Sequence, residues 1–375
     1  MQPLPHKYRI IISGGGTGGH IFPAVAIANA IKKLEPSTGI LFVGAKGKME
    51  MEKVPQAGYI IEGLWISGLQ RNNIKANLLF PFKVISSLMQ ARKIIKRFKP
   101  QVAVGVGGYA SGPLLYMASK MGIACLIQEQ NSFAGLTNKI LGKRVQKICV
   151  AFDGMENFFP KDKIIKTGNP VREDAVRTEG LRNEALSYFG LKPGNKTLLI
   201  VGGSQGALSV NQAIKASIHS LENLGINIIW QTGKYFFEEA KKTVEGLPSD
   251  RVKVYDFINR MNLAYALADL IVSRAGASTV SELCMIGKPA MLVPLPTAAE
   301  DHQAMNAMSL VKENAAIMIR DQELNNLLFS EIKSLLSDQE RMNQLSANIK
   351  KLALPDAASV IAREVLLLAK THSGV

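Results

Sequence analysis

Cysteine is scarce and odd in number: Cys125, Cys149 and Cys284 stand far apart in a chain of 375 residues. Such spacing offers no disulfide framework and points to a reducing compartment. Long apolar runs are missing too. No uncharged apolar stretch reaches the roughly 18 residues a spanning helix needs, so a transmembrane segment is not expected. The opening residues, 1–12, run directly into a strand-like pattern without a small-residue cleavage site, which argues against a signal peptide. No two aspartates are spaced Asp-x-Asp, and His6, His20, His219, His302 and His372 share no ligand spacing with one another or with the cysteines. A metal site is therefore not expected, and neither is a bound cofactor. The Gly-x-x-x-x-Gly-Lys-Ser/Thr pattern of P-loop enzymes is also absent. The last absence is local: between Gly63 and Gln128 there is no acidic residue, against nine basic ones.

That gap belongs to a wider asymmetry. The net charge is +15, and residues 1–170 hold 23 Lys/Arg against 8 Asp/Glu, so the first half carries the whole excess. A one-sided field of this kind implies an anionic partner: nucleic acid, a membrane surface or a phosphate-rich substrate. With 47% hydrophobic and 20% charged residues, the composition is that of a globular protein with a large core.

The pattern predicts two α/β halves. In the first, Tyr8–Ser13 reads as a strand, Gly14–His20 as a glycine loop and Phe22–Leu34 as a helix. The unit begins again 188 residues later, with the strand Thr197–Val201, the loop Gly202–Ala207 and a helix over Leu208–Leu221. Further apolar strands are predicted at Ile40–Val43, Val102–Val106, Ala124–Ile127 and Lys147–Val150, then at Asn227–Trp230, Val252–Tyr255, Leu270–Ser273 and Ala290–Val293. Uninterrupted apolar strands alternating with helices indicate parallel sheets covered on both faces. A boundary is expected near Gly168-Asn169-Pro170, giving domains 1–170 and 171–355. A final helix over 356–375 is expected to pack back on the first. Ligands of open α/β sheets sit beyond the carboxyl ends of the strands, so the active site is expected in a cleft between the halves.

Gly14-Gly15-Gly16-Thr17-Gly18-Gly19 satisfies Gly-x-Gly-x-x-Gly, but the strand Ile40–Val43 ends in Gly44-Ala45-Lys46 with no carboxylate for a ribose. A nicotinamide dehydrogenase is thereby disfavoured, leaving a backbone cradle for some other anion. Gly105–Pro113 is a second such loop, which suits a diphosphate. His20, at the rim of the first, is a candidate general base or substrate-positioning residue, and the strand-end cluster Gln128-Glu129-Gln130-Asn131 offers Glu129 and Asn131 as candidate substrate contacts. In the second half, Ser204 and the helix start at Ala277 offer donors to a diphosphate, Glu282 can accept from ribose hydroxyls, and Gln303 can meet sugar hydroxyls. Between Leu64 and Pro100, apolar Leu78, Leu79, Phe80 and Phe82 lie among Arg71, Lys75 and Lys83, with Arg92 to Lys99 beyond. Apolar bulk ringed by cations is a membrane-surface signature. Nucleic acid is the rival partner but lacks stacking aromatics or a fold signature here. The plain alternative is a core helix, Lys83–Phe98, with a solvated basic face.

Six ordered motifs, Gly15–His20, Gly107–Pro113, Gln128–Asn131, Gly168–Arg172, Gly202–Ala207 and Ser273–Glu282, resemble glycosyltransferase family 28, and within it the bacterial transferases that add N-acetylglucosamine to lipid I to make lipid II. The likeness runs from Tyr8 to the final helix. It implies a GT-B fold, two Rossmann-like doubly wound domains, and inverting transfer from UDP-GlcNAc at the cytoplasmic face of the plasma membrane, in company with other cell-wall enzymes. Carried over to this sequence, Ile258 would meet uracil through its backbone and Glu282 the ribose. Ser204, Ala277, Ser278, Thr279, Val280 and Ser281 would hold the diphosphate, with Arg172 at the hinge. Gln303, Thr17, Gly18, Gly19 and Asn131 would contact the sugar, and the base on the acceptor side would be His20, with Glu129 as second choice. Lipid I would be held by Gly15, Gly16, Gly107, Gly108, Tyr109, Ser111 and Gly112, and its lipid would lie by Leu78, Leu79, Phe80, Phe82, Lys75 and Lys83. A UDP-sugar epimerase, a transferase with a soluble or diacylglycerol acceptor, and a non-enzymatic α/β binding protein are the competing readings.

Overall fold

A computed structural model describes residues 6–68, 79–203, 205–298 and 301–372. Arg71, Lys75, Leu78 and Ser204, singled out above, lie outside the described residues. The chain forms two compact units, Met1–Val171 with Pro355–Val375, and Arg172–Leu354.

The first unit is built on seven parallel strands: β1 (Arg9–Ser13), β2 (Gly39–Ala45), β3 (Ile60–Leu64), β4 (Val102–Gly105), β5 (Ala124–Glu129), β6 (Lys147–Val150) and β7 (Ile164–Lys166). They lie in the order 3-2-1-4-5-6-7. β1 shows why its residues are apolar without alternation. Ile10 and Ile12 pack with the helix Gly18–Leu34 on one face, while Ile11 packs on the other with Ala91 and Ile95 of the helix Phe80–Phe98. The last helix, Ala357–His372, inserts Ile361, Ala362, Val365 and Leu368 into the first of these clusters. The strand order reverses between β1 and β4, whose ends are in register at Ser13 and Gly105. Both glycine loops therefore leave the sheet side by side, at the switch point where such folds bind ligands.

The second unit repeats the plan with β8 (Thr197–Val201), β9 (Asn227–Gln231), β10 (Val252–Tyr255), β11 (Leu270–Ser273), β12 (Ala290–Leu292) and β13 (Ile317–Met318), in the order 10-9-8-11-12-13. All pairs are again parallel. Its largest buried side chain, Trp230, donates its indole N–H to Asn211 Oδ1 at 3.0 Å, so the ring is buried without an orphan donor. The switch point falls between β8 and β11, at the loop Gly202–Ala207 and the start of the helix Ala277–Ile286.

The helix expected over Lys83–Phe98 starts three residues earlier, at Phe80, because Pro81 is tolerated in a first turn. Cys125, Cys149 and Cys284 are free and buried, and desolvation pushes each thiol up to about 12. Thiols held that far from ionising are inert packing groups. Among the described residues no helix is long and apolar enough to cross a membrane.

Candidate active site

In the first unit, the chain leaves β1 through Gly14–Gly16 and enters the helix Gly18–Leu34 with Thr17 as an extended N-cap that makes no side-chain cap bond. The helix ladder starts at His20 and Ile21, which both donate to Thr17 O, so the N–H groups of Gly18 and Gly19 are left for a ligand. The second loop is pressed against the first. Gly107 and Gly108 have φ of +98° and +88°. A Cβ at Gly108 would lie 2.3 Å from Gly15 O, and one at Gly107 would lie 2.7 Å from the His20 ring. Glycine at these two positions is required by both backbone conformation and space. Tyr109 is half exposed, and its ring lies against Gly68 and Gly16.

Three expectations for this unit need correction. Gly15 and Gly16 were read as bare backbone donors, yet the Gly16 N–H donates at 2.8 Å to Glu50, a carboxylate only 1% exposed. The other Glu50 oxygen accepts from Ala45 N at 2.9 Å. Part of the cradle thus already holds an anion, the protein's own. Ser111 is buried, and its single hydroxyl proton is shared between Gly107 O at 2.8 Å and Ser13 O at 3.0 Å, so its side chain braces the two loops from inside the protein. Glu129, the second choice as base, is also committed. Its Oε1 accepts from Asn131 N at 3.1 Å, and its Oε2 accepts from Gly135 N at 3.0 Å and Asn138 Nδ2 at 2.9 Å. It shapes the turn that carries Asn131, and both of its oxygens are occupied by N–H donors.

His20 is the remaining candidate base. Its Nδ1 lies 2.8 Å from Gln130 Oε1, and its Nε2 makes no hydrogen bond among the described residues. Burial pushes the imidazole below its ordinary value, against the opposing pull of the Gln130 hydrogen bond and the charges of Glu129 and Glu50. A neutral imidazole at neutral pH is the form a general base requires.

In the second unit, the helix Ala277–Ile286 is N-capped by Gly276, and Val280 N–H is the first to bond back, to Gly276 O. The N–H groups of Ala277, Ser278 and Thr279 precede that ladder and form the anion-facing end. Val280 points its side chain into the core, and the Ser281 hydroxyl donates to Ala277 O. Glu282 accepts from Tyr265 Oη at 2.9 Å. Burial raises its carboxyl, while Tyr265 and the Arg172 charge oppose that shift. Arg172 itself pairs with Asp174 at 2.6 Å. Ile258 is buried with its N–H given to Gln231 Oε1 at 2.9 Å, so its carbonyl is the backbone group not engaged by Gln231. Gln303 Oε1 accepts from Leu295 N at 3.0 Å, tying the helix His302–Val311 to the strand exit and leaving its Nε2 as a donor. Beside Ser204, Gly206 has φ +82° and a Cβ there would meet Thr232 O at 2.1 Å. Glu50, Tyr265 and Gln231 carry no motif signal and were not singled out from sequence.

The sequence matches the glycosyltransferase family 28 N-terminal domain over residues 10–150 and the family's C-terminal domain over residues 197–361. The chain belongs to glycosyltransferase family 28. This family 28 chain is 54% identical over 370 residues to the UDP-N-acetylglucosamine--N-acetylmuramyl-(pentapeptide) pyrophosphoryl-undecaprenol N-acetylglucosamine transferase of Phocaeicola vulgatus, covering 98% of each. The protein of that name from Cytophaga hutchinsonii is 53% identical over 370 residues, 99% of each chain. Acinetobacter baumannii MurG, a crystal structure, superposes with a TM-score of 0.78 at 28% identity over 96% of this chain and 99% of its own. Both sheets carry the doubly wound order of the GT-B fold.

Proposed function

We infer that this family 28 enzyme transfers N-acetylglucosamine from UDP-GlcNAc to the 4-hydroxyl of the muramoyl sugar of undecaprenyl-diphosphate-linked lipid I, giving lipid II with inversion. Near full-length identity to transferases named for that reaction carries the reading. The sites fit it chemically. His20 Nε2 takes the acceptor hydroxyl's proton as that oxygen attacks the anomeric carbon. The bond from that carbon to the UDP oxygen breaks, and its electron pair stays on the diphosphate. The leaving charge is received by the N–H groups of Ala277, Ser278 and Thr279, with the loop around Ser204. In this reading the unit Arg172–Leu354 binds the donor and the first unit binds lipid I. Gly18 and Gly19 contact the donor sugar, and the Gly107–Gly108 backbone meets the acceptor diphosphate. Labelled UDP-GlcNAc incubated with lipid I should place label in the lipid phase; epimerised sugar without a lipid product would refute the transfer.

Glu282 is assigned to the ribose. Glu282→Ala is expected to weaken UDP binding by about 10- to 100-fold, the cost of losing a charge-assisted pair of hydrogen bonds. Tyr265→Phe should weaken it less at neutral pH and more in acid. Losing the tyrosine hydrogen bond lets burial push the Glu282 carboxyl higher, so the ionised form that binds hydroxyls is lost at higher pH. Calorimetric titration with UDP across pH checks both, and a pH-independent Tyr265→Phe would refute the assignment.

The membrane surface is assigned to the helix Phe80–Phe98. Phe82 is 65% and Met89 63% exposed, with Leu79 and Ile85 also outward, and Arg92, Lys93 and Lys96 follow on the exposed side. Apolar insertion beside cations, each contributing about 1 kcal/mol near an anionic leaflet, gives reversible peripheral binding. Phe82→Glu with Met89→Glu should abolish sedimentation with phosphatidylglycerol vesicles while leaving UDP affinity unchanged; undiminished sedimentation would locate the contact elsewhere.

A further inference from the structure

We propose that Gln130 is the positioning residue for His20: it holds the imidazole proton on Nδ1 and so leaves the Nε2 lone pair to receive the acceptor's proton. The inference rests on His20 as the base, and it concerns how the fold makes that base usable.

The geometry decides which end of the Gln130 amide faces the ring. Gln130 is 4% exposed and its Nε2 lies 2.9 Å from Val106 O. A carbonyl only accepts, so the amide nitrogen must be the atom there, and Oε1 is the atom 2.8 Å from His20 Nδ1. An amide oxygen also only accepts, so Nδ1 carries the hydrogen. Reversing the amide would set oxygen against oxygen at Val106. The backbone beneath that amide is anchored as well, because Asn169 Nδ2 donates to the Gln130 carbonyl at 2.9 Å and Asn169 Oδ1 accepts from Gln128 Nε2 at 2.7 Å. Gly107 closes the other side of the ring. A free neutral imidazole favours the hydrogen on Nε2, so the protein selects the less favoured tautomer.

An amide does this without adding charge. The charged groups acting on the ring are Glu129 at the end of β5 and Glu50 from the helix Glu50–Gln56, and both raise its pKa, as do the Gln130 hydrogen bond and the Val106 carbonyl. A carboxylate in place of Gln130 would add a third negative charge at contact distance and keep the ring protonated to higher pH. The amide orients the ring while burial keeps it neutral.

The test uses the full-length enzyme and its Gln130→Met, Gln130→Glu and His20→Ala variants. Nitrogen-15 NMR of histidine-labelled protein, with His20→Ala identifying the signal, should show His20 as the Nδ1–H tautomer in the parent and chiefly Nε2–H in Gln130→Met. In Gln130→Met, kcat should fall about 10- to 100-fold, the usual range for removing an orienting partner, with the UDP-GlcNAc KM little changed. The acid limb of kcat/KM should move to lower pH in Gln130→Met and to higher pH in Gln130→Glu, opposite shifts that a packing defect does not produce. An Nε2–H tautomer in the parent enzyme, a measurement that needs no variant to fold, overturns the proposal, as does an unmoved tautomer or acid limb in Gln130→Met. Should His20→Ala keep its kcat, the base assignment fails while the tautomer result stands on its own.

Discussion

His20→Ala is expected to lower kcat by about 10²- to 10⁴-fold, the span a positioned general base supplies, while UDP-GlcNAc affinity changes by no more than about twofold. The separation follows from where the residue sits. His20 belongs to the first unit, beside the backbone contact of Gly15 with Gly108, whereas the groups assigned to uracil, ribose and diphosphate are Ile258, Glu282 and the Ala277 helix start in the second. Removing the imidazole takes away the proton acceptor without touching them. Burial holds the ring below its ordinary value, so the acid limb of the parent's pH profile should lie below about pH 6.5, the unperturbed histidine value. Single-turnover kinetics with saturating donor reads the chemical step directly. A full-rate His20→Ala enzyme would move the base elsewhere, and Glu129 is a weak substitute because at least three N–H groups already occupy its oxygens.

The sheets were legible because their central strands are buried on both faces. Ile10-Ile11-Ile12 and Leu198-Leu199-Ile200 leave no polar alternation to mislead, and the glycine loop after each marks the turn into its helix. β3, β7 and β13 were not read. β3 is a half-exposed edge strand containing Glu62 and Gly63, β7 has three residues and β13 two. Edge strands bury one face or less, so the apolar signal fades with the burial that creates it.

The site divided along similar lines. Glycine loops and a histidine at a loop rim are local patterns, and they could be found by spacing. Which polar side chains turn inward is a tertiary fact. Ser111 and Glu129 looked like ligands because strand ends and helix starts are where ligands bind; their hydrogen bonds point into the protein instead. Gln130 lay within a quoted motif and was passed over, since an amide between two more reactive neighbours shows its use only when both of its ends have partners. Glu50 lies 34 residues from the Gly16 N–H it accepts from. No sequence pattern links the two positions, although that bond engages a loop N–H that a dinucleotide would otherwise use.

Glu50→Ala carries the largest expected effect on stability. It strips the acceptor from two backbone donors, Ala45 N, which is buried, and Gly16 N, which is part-buried, and empties the space of a carboxylate that touches the Gly15 and Gly44 positions. Each unsatisfied buried donor costs about 1–3 kcal/mol, and the lost side-chain contacts add to that, so a total of about 3–5 kcal/mol is expected. For a unit of this size the melting transition should fall by roughly 6–20 °C. Two units need not melt together, so calorimetry with and without UDP is the suitable measurement. The transition lowered by Glu50→Ala should be the one UDP does not raise, because the nucleotide is assigned to the other unit. Glu50→Gln tests the chemistry within the shape. Its amide oxygen can accept from one N–H, but its NH₂ faces the other donor, so about half the loss should return. A loosened first loop should also raise the KM for lipid I and leave that for UDP-GlcNAc in place. Were Glu50→Ala to melt like the parent and bind lipid I equally well, the carboxylate would be a bystander and the Gly16 N–H would be free to serve the substrate after all.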